Sequence, residues 1–176
     1  MYFYTMNLNY RSLLPTDFSP LSRVWIYQCS RRLTLSEALE VETFLENMIQ
    51  EWLSHGHPVK GYANLFFGQL IVVIADETRN PVGGCSIDGS VRQLKEWSSR
   101  TGIDLFNRET LAFVVKDQLE LLPLSQLQYA VDHGFITPDT LYFNNLVTTL
   151  SELETQWLIP VNQSWLSRRI QLKSLS

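Results

Sequence analysis

The chain has 176 residues, 45% apolar and 18% charged, with a formal net charge of −4. A chain of this size suits one medium domain or two very small ones, buries roughly 70% of its unfolded surface and folds without a disulfide or metal staple. The 14 Lys and Arg are scattered, with Arg31-Arg32 and Arg168-Arg169 the basic pairs, so there is no basic face for nucleic acid.

Two cysteines, Cys29 and Cys85, are too few for a secreted disulfide scaffold. The N-terminal MYFYTMNLNYRSLL lacks the basic start, apolar core and cleavage site of a signal peptide. The longest apolar run, Leu70 to Ala75, is far too short to cross a bilayer. These features predict a cytoplasmic protein with reduced thiols and no membrane partner.

Residues 1–22, with Pro15 and Pro20 and no sustained period, read as an irregular arm whose Tyr2, Phe3, Tyr4, Tyr10 and Phe18 look exposed or pack down as anchors. Val24 to Cys29 is β-branched and aromatic, the signature of a buried strand. Thr34 followed by Glu37 forms a capping box, and Val41, Phe44, Leu45, Met48, Ile49, Trp52 and Leu53 recur at helical spacing until Gly56 and Pro58. Tyr62 to Phe67 and Leu70 to Asp76 read as strands joined at Gly68-Gln69, a type II′ hairpin with glycine first. The second of them, LIVVIAD, should be central in its sheet. A loop then leads into a helix from about Ile87 to Arg100, stopped by Gly102, and Leu111 to Val115 is another strand.

Strand, helix, strand, strand, helix, strand predicts an α+β chain with a split βαβ, or ferredoxin-like, domain over residues 23–110. In this arrangement the first and third strands are expected to be neighbours and parallel, with both helices on one face. The other face would be left open, to be covered by a homodimer partner or by residues 111–176. In that last third, Leu124 to Val131 reads as a short helix ending near Gly134, Thr137-Pro138-Asp139 as a turn and Leu141 to Phe143 as extended chain, with Trp157, Pro160 and Trp165 closing it.

From Leu111 to about Val161 the sequence resembles a GYF-like module of the short bacterial type. The matching residues are Leu124, Ser125, Leu127, Gly134, Ile136, Pro138, Asp139, Thr140, Leu141, Phe143 and Trp157. The family's Gly-Pro-Phe is Leu122-Pro123-Leu124 here and its first-strand aromatic pair is missing, so the resemblance implies a fold more than a proline-rich ligand. The whole chain is also similar to a group of bacterial proteins sharing VWIYQ, Trp52-x-x-His55-Gly56-x-Pro58, GCSID-x-SV and TPDTLYFNN. Some of these carry the label "ABC transporter ATPase". That chemistry needs a phosphate-cradling G-x-x-x-x-G-K-[ST] loop, and no such run exists in this chain.

One segment has chemical promise. Gly83-Gly84-Cys85-Ser86-Ile87-Asp88 opens the second helix, whose free N–H groups could lower a thiol's pKa or hold an anion, with Arg92 one turn beyond Asp88. The expected arrangement gathers Cys29, Asp76, Glu77, Cys85, Asp88 and Arg92 at one end of the sheet. It puts His55 and His57 at the opposite end, leaving Cys85 without a base. The plainer reading makes Ser86 or Asp88 an ordinary N-cap and Cys85 a small buried hydrophobe. Neither cysteine nor His55, His57 and His133 shows metal-ligand spacing, and no cofactor is expected. The leading functional expectation is a non-catalytic protein-interaction or adaptor protein. The alternative is a small-molecule or anion-binding protein, or a thiol-dependent enzyme, using Gly84, Cys85, Ser86, Asp88 and Arg92.

Overall fold

The computed structural model describes residues 6–172, so Tyr2, Phe3 and Tyr4 of the predicted aromatic arm lie outside the described residues. In chain order the elements are β1 (Arg23–Gln28), α1 (Leu35–Gln50), β2 (Leu53–Ser54), β3 (His57–Pro58), β4 (Lys60–Phe66), β5 (Leu70–Asp76), α2 (Gly84–Thr101), β6 (Thr110–Val115), β7 (Gln118–Pro123), α3 (Leu127–Asp132), β8 (Leu141–Phe143), α4 (Leu150–Gln156) and β9 (Leu158–Pro160). The fold is α+β. Among the described residues it divides into two compact units, one of residues 10–107 with 146–154, the other of residues 6–9, 108–145 and 155–172.

In the larger unit, the Thr34 hydroxyl accepts from the Glu37 N–H and the Glu37 carboxylate accepts from the Thr34 N–H, so the capping box forms as expected. Arg31 then grips the same carboxylate through both guanidinium nitrogens, at 2.7 and 2.8 Å. The sheet runs β1-β5-β4. Val41, Leu45 and Met48 of α1 and Leu94 and Trp97 of α2 share one core with Ile71, Val73 and Ala75 of β5, so both helices cover the same sheet face.

The expected neighbours β1 and β5 do pair, but antiparallel, with Arg23 opposite Ala75 and Gln28 opposite Leu70. The parallel expectation is therefore corrected. The β4–β5 hairpin reverses the chain, so β1 and β4 run the same way and β5 lies between them in the opposite sense. The sequence leaves open whether residues 111–115 join this sheet or the C-terminal segment; as β6 they pair with β7 and β8 in a second sheet.

Two local expectations also change. At the β4–β5 turn the left-handed residues are Phe67 (φ 55°) and Gly68 (φ 65°), with the Gln69 N–H donating to the Phe66 carbonyl. Two consecutive positive φ values are the type I′ signature, so glycine stands second and the type II′ expectation fails. The second helix starts at Gly84 rather than Ile87, with Gly83 as its N-cap, so neither Ser86 nor Asp88 caps it.

The second face of β5 is closed by the chain itself. Leu70, Val72 and Ile74 are fully buried there. Tyr62, on the same face, donates its hydroxyl to the Leu13 carbonyl at 2.6 Å, and Tyr10 meets the Phe67 ring edge-on at 6.5 Å. Tyr10 in turn donates its hydroxyl to the Leu153 carbonyl at 2.7 Å, and Leu150 and Leu153 are themselves buried. Tyr10, for which the sequence left exposure and packing both open, is a buried anchor, and among the described residues this face of β5, which motivated a homodimer, is covered.

The smaller unit is a four-stranded antiparallel sheet in the order β7-β6-β8-β9. Phe113, Tyr142, Val161, Leu166 and Ile170 pack with Leu127, Ala130 and Val131 of α3 and with Ile136 as its core. Gly134 adopts φ 74° just past α3, the left-handed stop its position predicts. The Thr137 turn closes through the Thr140 N–H onto the Thr137 carbonyl and leads straight into β8.

Candidate functional site

The antiparallel course of β5 decides what meets what. Its C-terminal end, with the start of α2, falls at the end of the sheet where α1 finishes. There β2 and β3 form a miniature hairpin whose turn residues, His55 (φ 52°) and Gly56 (φ 77°), are both left-handed. This hairpin packs on the first turn of α2. The Trp52 indole N–H donates to the Ser86 carbonyl at 3.2 Å, the Ser86 hydroxyl to the Leu53 carbonyl at 2.8 Å, and the Gly83 N–H to the Ser54 hydroxyl at 3.0 Å. Asn80 ties the hairpin to the preceding loop, its side-chain amide donating to the carbonyls of Ser54, His57 and Pro58.

His55 is thereby placed against α2. A methyl group added to Gly83 would sit 3.2 Å from the His55 Nε2. The expectation that His55 lies at the far end from Cys85 is overturned, because it followed from the parallel pairing that does not occur. The signal in the sequence was Ser54-His55-Gly56-His57, an X-Gly pair of the kind that closes a two-residue hairpin.

The other expected site residues divide. Gly84, Cys85, Ser86, Asp88 and Arg92 all lie on the first turns of α2, and Cys85 is exposed rather than packed. Gly83 offers the helix no side-chain cap, so that end carries uncompensated N–H groups. Asp88 and Arg92 are both exposed and form no ion pair with each other. Cys29 is elsewhere. It directly follows β1, donates its N–H to the Gln69 carbonyl at the opposite end of the sheet from Asp76, and is 0% exposed. Burial pushes its thiol up to about 12. Cys29 is a packing residue, and the expected gathering of Cys29 with Asp76 and Cys85 is corrected.

Asp76 and Glu77 do not face water idly, as paired loop carboxylates commonly do. Asp76 is 5% exposed. One of its oxygens accepts the Ser19 N–H at 3.0 Å, and the other accepts both the N–H and the hydroxyl of Thr78. Glu77 accepts the Val82 N–H at 2.9 Å, shaping the loop into α2.

No family model, no curated protein and no solved structure matches this chain. Among the described residues no group of three or more His, Cys, Asp and Glu side chains could hold a metal ion, and no helix is long and apolar enough to cross a membrane.

The two thiols should separate chemically. Iodoacetamide on the native protein is expected to modify Cys85 and to spare Cys29 until denaturant is added, read as peptide masses. Labelling of Cys29 in the native protein would contradict its place in the core.

Proposed function

We propose that this is a non-catalytic protein-interaction protein that docks partners through the smaller unit. The observation that carries this reading is an exposed aromatic cluster at the end of α3. Tyr129 is 63% and Phe135 62% exposed, and the His133 ring stacks on Tyr129 with centroids 3.9 Å apart. His133 is also held by its Nδ1, 2.8 Å from the Tyr129 carbonyl. Gly134 turns the chain so that the Phe135 N–H returns to the Ala130 carbonyl, which fixes Phe135 beside the helix it follows. Rigid exposed aromatics lose little entropy on docking, and such residues dominate interface energetics. The GYF-like resemblance falls on the same segment and is part of the proposal.

The test is a photo-crosslinking residue placed at Phe135 in cells, with sedimentation velocity on the purified chain. A discrete covalent adduct, at least about tenfold reduced by Tyr129→Ala, is expected. A monomer that forms no adduct would end this reading, and an adduct with a second copy would make the partner a homodimer.

A second reading, thiol chemistry or anion binding at Cys85, is favoured by one observation. Cys85, an exposed thiol on the first turn of α2, stands two residues from Gly83, where an added methyl would meet the His55 imidazole, and an imidazole is the base that thiol nucleophiles require. On this reading iodoacetamide modifies Cys85 in a Cys29→Ala background faster at neutral pH than it modifies an unstructured cysteine peptide, and His55→Ala slows the reaction. A rate indifferent to His55 would rule out the pairing.

A further inference from the structure

On the other side of the Asn80 loop is a cleft of about 780 Å³, lined by residues 16–19, 58–60, 76 and 78–80. Its volume is in the range of sites that hold small ligands, roughly 300–1,000 Å³. The walls are fixed before any ligand arrives. Asp76 joins the Ser19 wall to the Thr78 wall through its two oxygens, and Asn80 pins the third wall by its bonds to the His57 and Pro58 carbonyls.

The charges lining it are unequal in commitment. The Asp76 carboxylate is spent on Ser19, Thr78 and Lys60. Lys60 donates to the Asp17 carbonyl at 2.6 Å, stands 3.5 Å from both the Asp17 and Asp76 carboxylates, and rests 4.8 Å over the Phe18 ring. Arg79 is exposed and makes no ion pair among the described residues. Its guanidinium is the free cation of the cleft, and its planar fork matches a carboxylate. Two acids and two bases sum to zero across the lining, so a dianion would meet Asp17 and Asp76 with nothing left to neutralise its second charge. Phe18, Pro58 and Val59 supply an apolar floor beside these polar groups.

The geometry points to a binding site for a small organic monocarboxylate with an apolar body, its carboxylate on Arg79 and its body against Phe18 and Pro58. This site is distinct from the aromatic cluster of α3 and from the Cys85 turn, and does not depend on either reading of them.

The test is a titration of the isotopically labelled full chain, followed by backbone amide shifts, with benzoate, benzamide and inorganic phosphate as probes. Benzoate is expected to give saturable shifts confined to residues 16–19 and 78–80, with a Kd of about 1 mM or tighter. Arg79→Gln should weaken it at least about tenfold while leaving the remaining spectrum unchanged, since Arg79 makes no ion pair among the described residues. Benzamide and phosphate should give no saturable shift. Benzoate shifts that do not saturate, that fall elsewhere, that survive Arg79→Gln, or that benzamide or phosphate reproduce would each overturn the proposal.

Discussion

Replacing Asp76 with alanine is expected to destabilise the larger unit by about 2–4 kcal/mol, measured by urea unfolding at neutral pH. The substitution strips the acceptor from the Ser19 N–H and from both the N–H and hydroxyl of Thr78, and leaves Lys60 with exposed Asp17 as its remaining carboxylate. The same contacts set a pH dependence. The Thr78 hydroxyl, then the Thr78 and Ser19 N–H groups and the Lys60 ammonium, outweigh burial and hold the carboxyl down from 3.8 to about 2. Its folded value is lower than its unfolded one, so the unfolded chain takes up the proton first as the solution is acidified. The stabilisation is therefore complete above about pH 4 and lost as pH falls towards about 2, and amounts to roughly 2 kcal/mol. Asp76→Asn keeps the shape but turns an amide donor towards donors. It should be less stable at neutral pH and show a flatter acid limb. A variant with the parent's stability and the parent's acid limb would mean that the two loops hold together without this carboxylate.

Gly61→Ala is the second large effect, and its sign runs against ordinary propensity. Within a strand, alanine in place of glycine normally stabilises by about 0.5–1 kcal/mol, because the unfolded chain loses freedom. At Gly61 the new methyl would lie 2.9 Å from the Trp52 Cε3 and 3.2 Å from the Ile49 Cδ1. The Trp52 ring cannot swing away. It is buried, its edge meets Trp25 at 6.2 Å, and its N–H is bonded to the Ser86 carbonyl. Overpacking of this kind costs about 1–3 kcal/mol. A Trp52→Leu background should remove the penalty, so the double-mutant cycle should show coupling of at least about 1 kcal/mol. Additive substitutions would mean that the backbone of β4 yields instead. Because Trp52 is tied to Ser86, Gly61→Ala should also change how fast Cys85 is alkylated.

The features legible in the sequence were those that local chemistry dictates. Thr34 and Glu37 satisfy each other's backbone within four residues, and Thr137-Pro138-Asp139 closes on Thr140 without outside help. LIVVIAD read as a central strand because both its faces are buried. The direction of β5 relative to β1 was not legible. An apolar strand buried on both sides has the same composition whichever way its neighbour runs. The allegiance of β6 was hidden for a similar reason, since LAFVV would suit either sheet. The β2–β3 hairpin has two residues in each strand, too few to show any period, yet it is what carries His55 to the first turn of α2. Missing that hairpin and misdirecting β5 together concealed that His55 lies beside the start of α2.

The order in which the chain visits its two units limits how it can be taken apart. The chain leaves the larger unit after residue 107, builds most of the smaller one, and returns with residues 146–154 before leaving again. Those returning residues supply Leu150 and Leu153, the carbonyl that Tyr10 grips, and the Thr148 carbonyl that accepts the Val24 N–H. A gene fragment ending near residue 110 would therefore leave Tyr10 and Val24 without these carbonyls, and a fragment beginning there would carry a segment whose bonding partners are gone. Neither half is a cassette that could be shuffled alone.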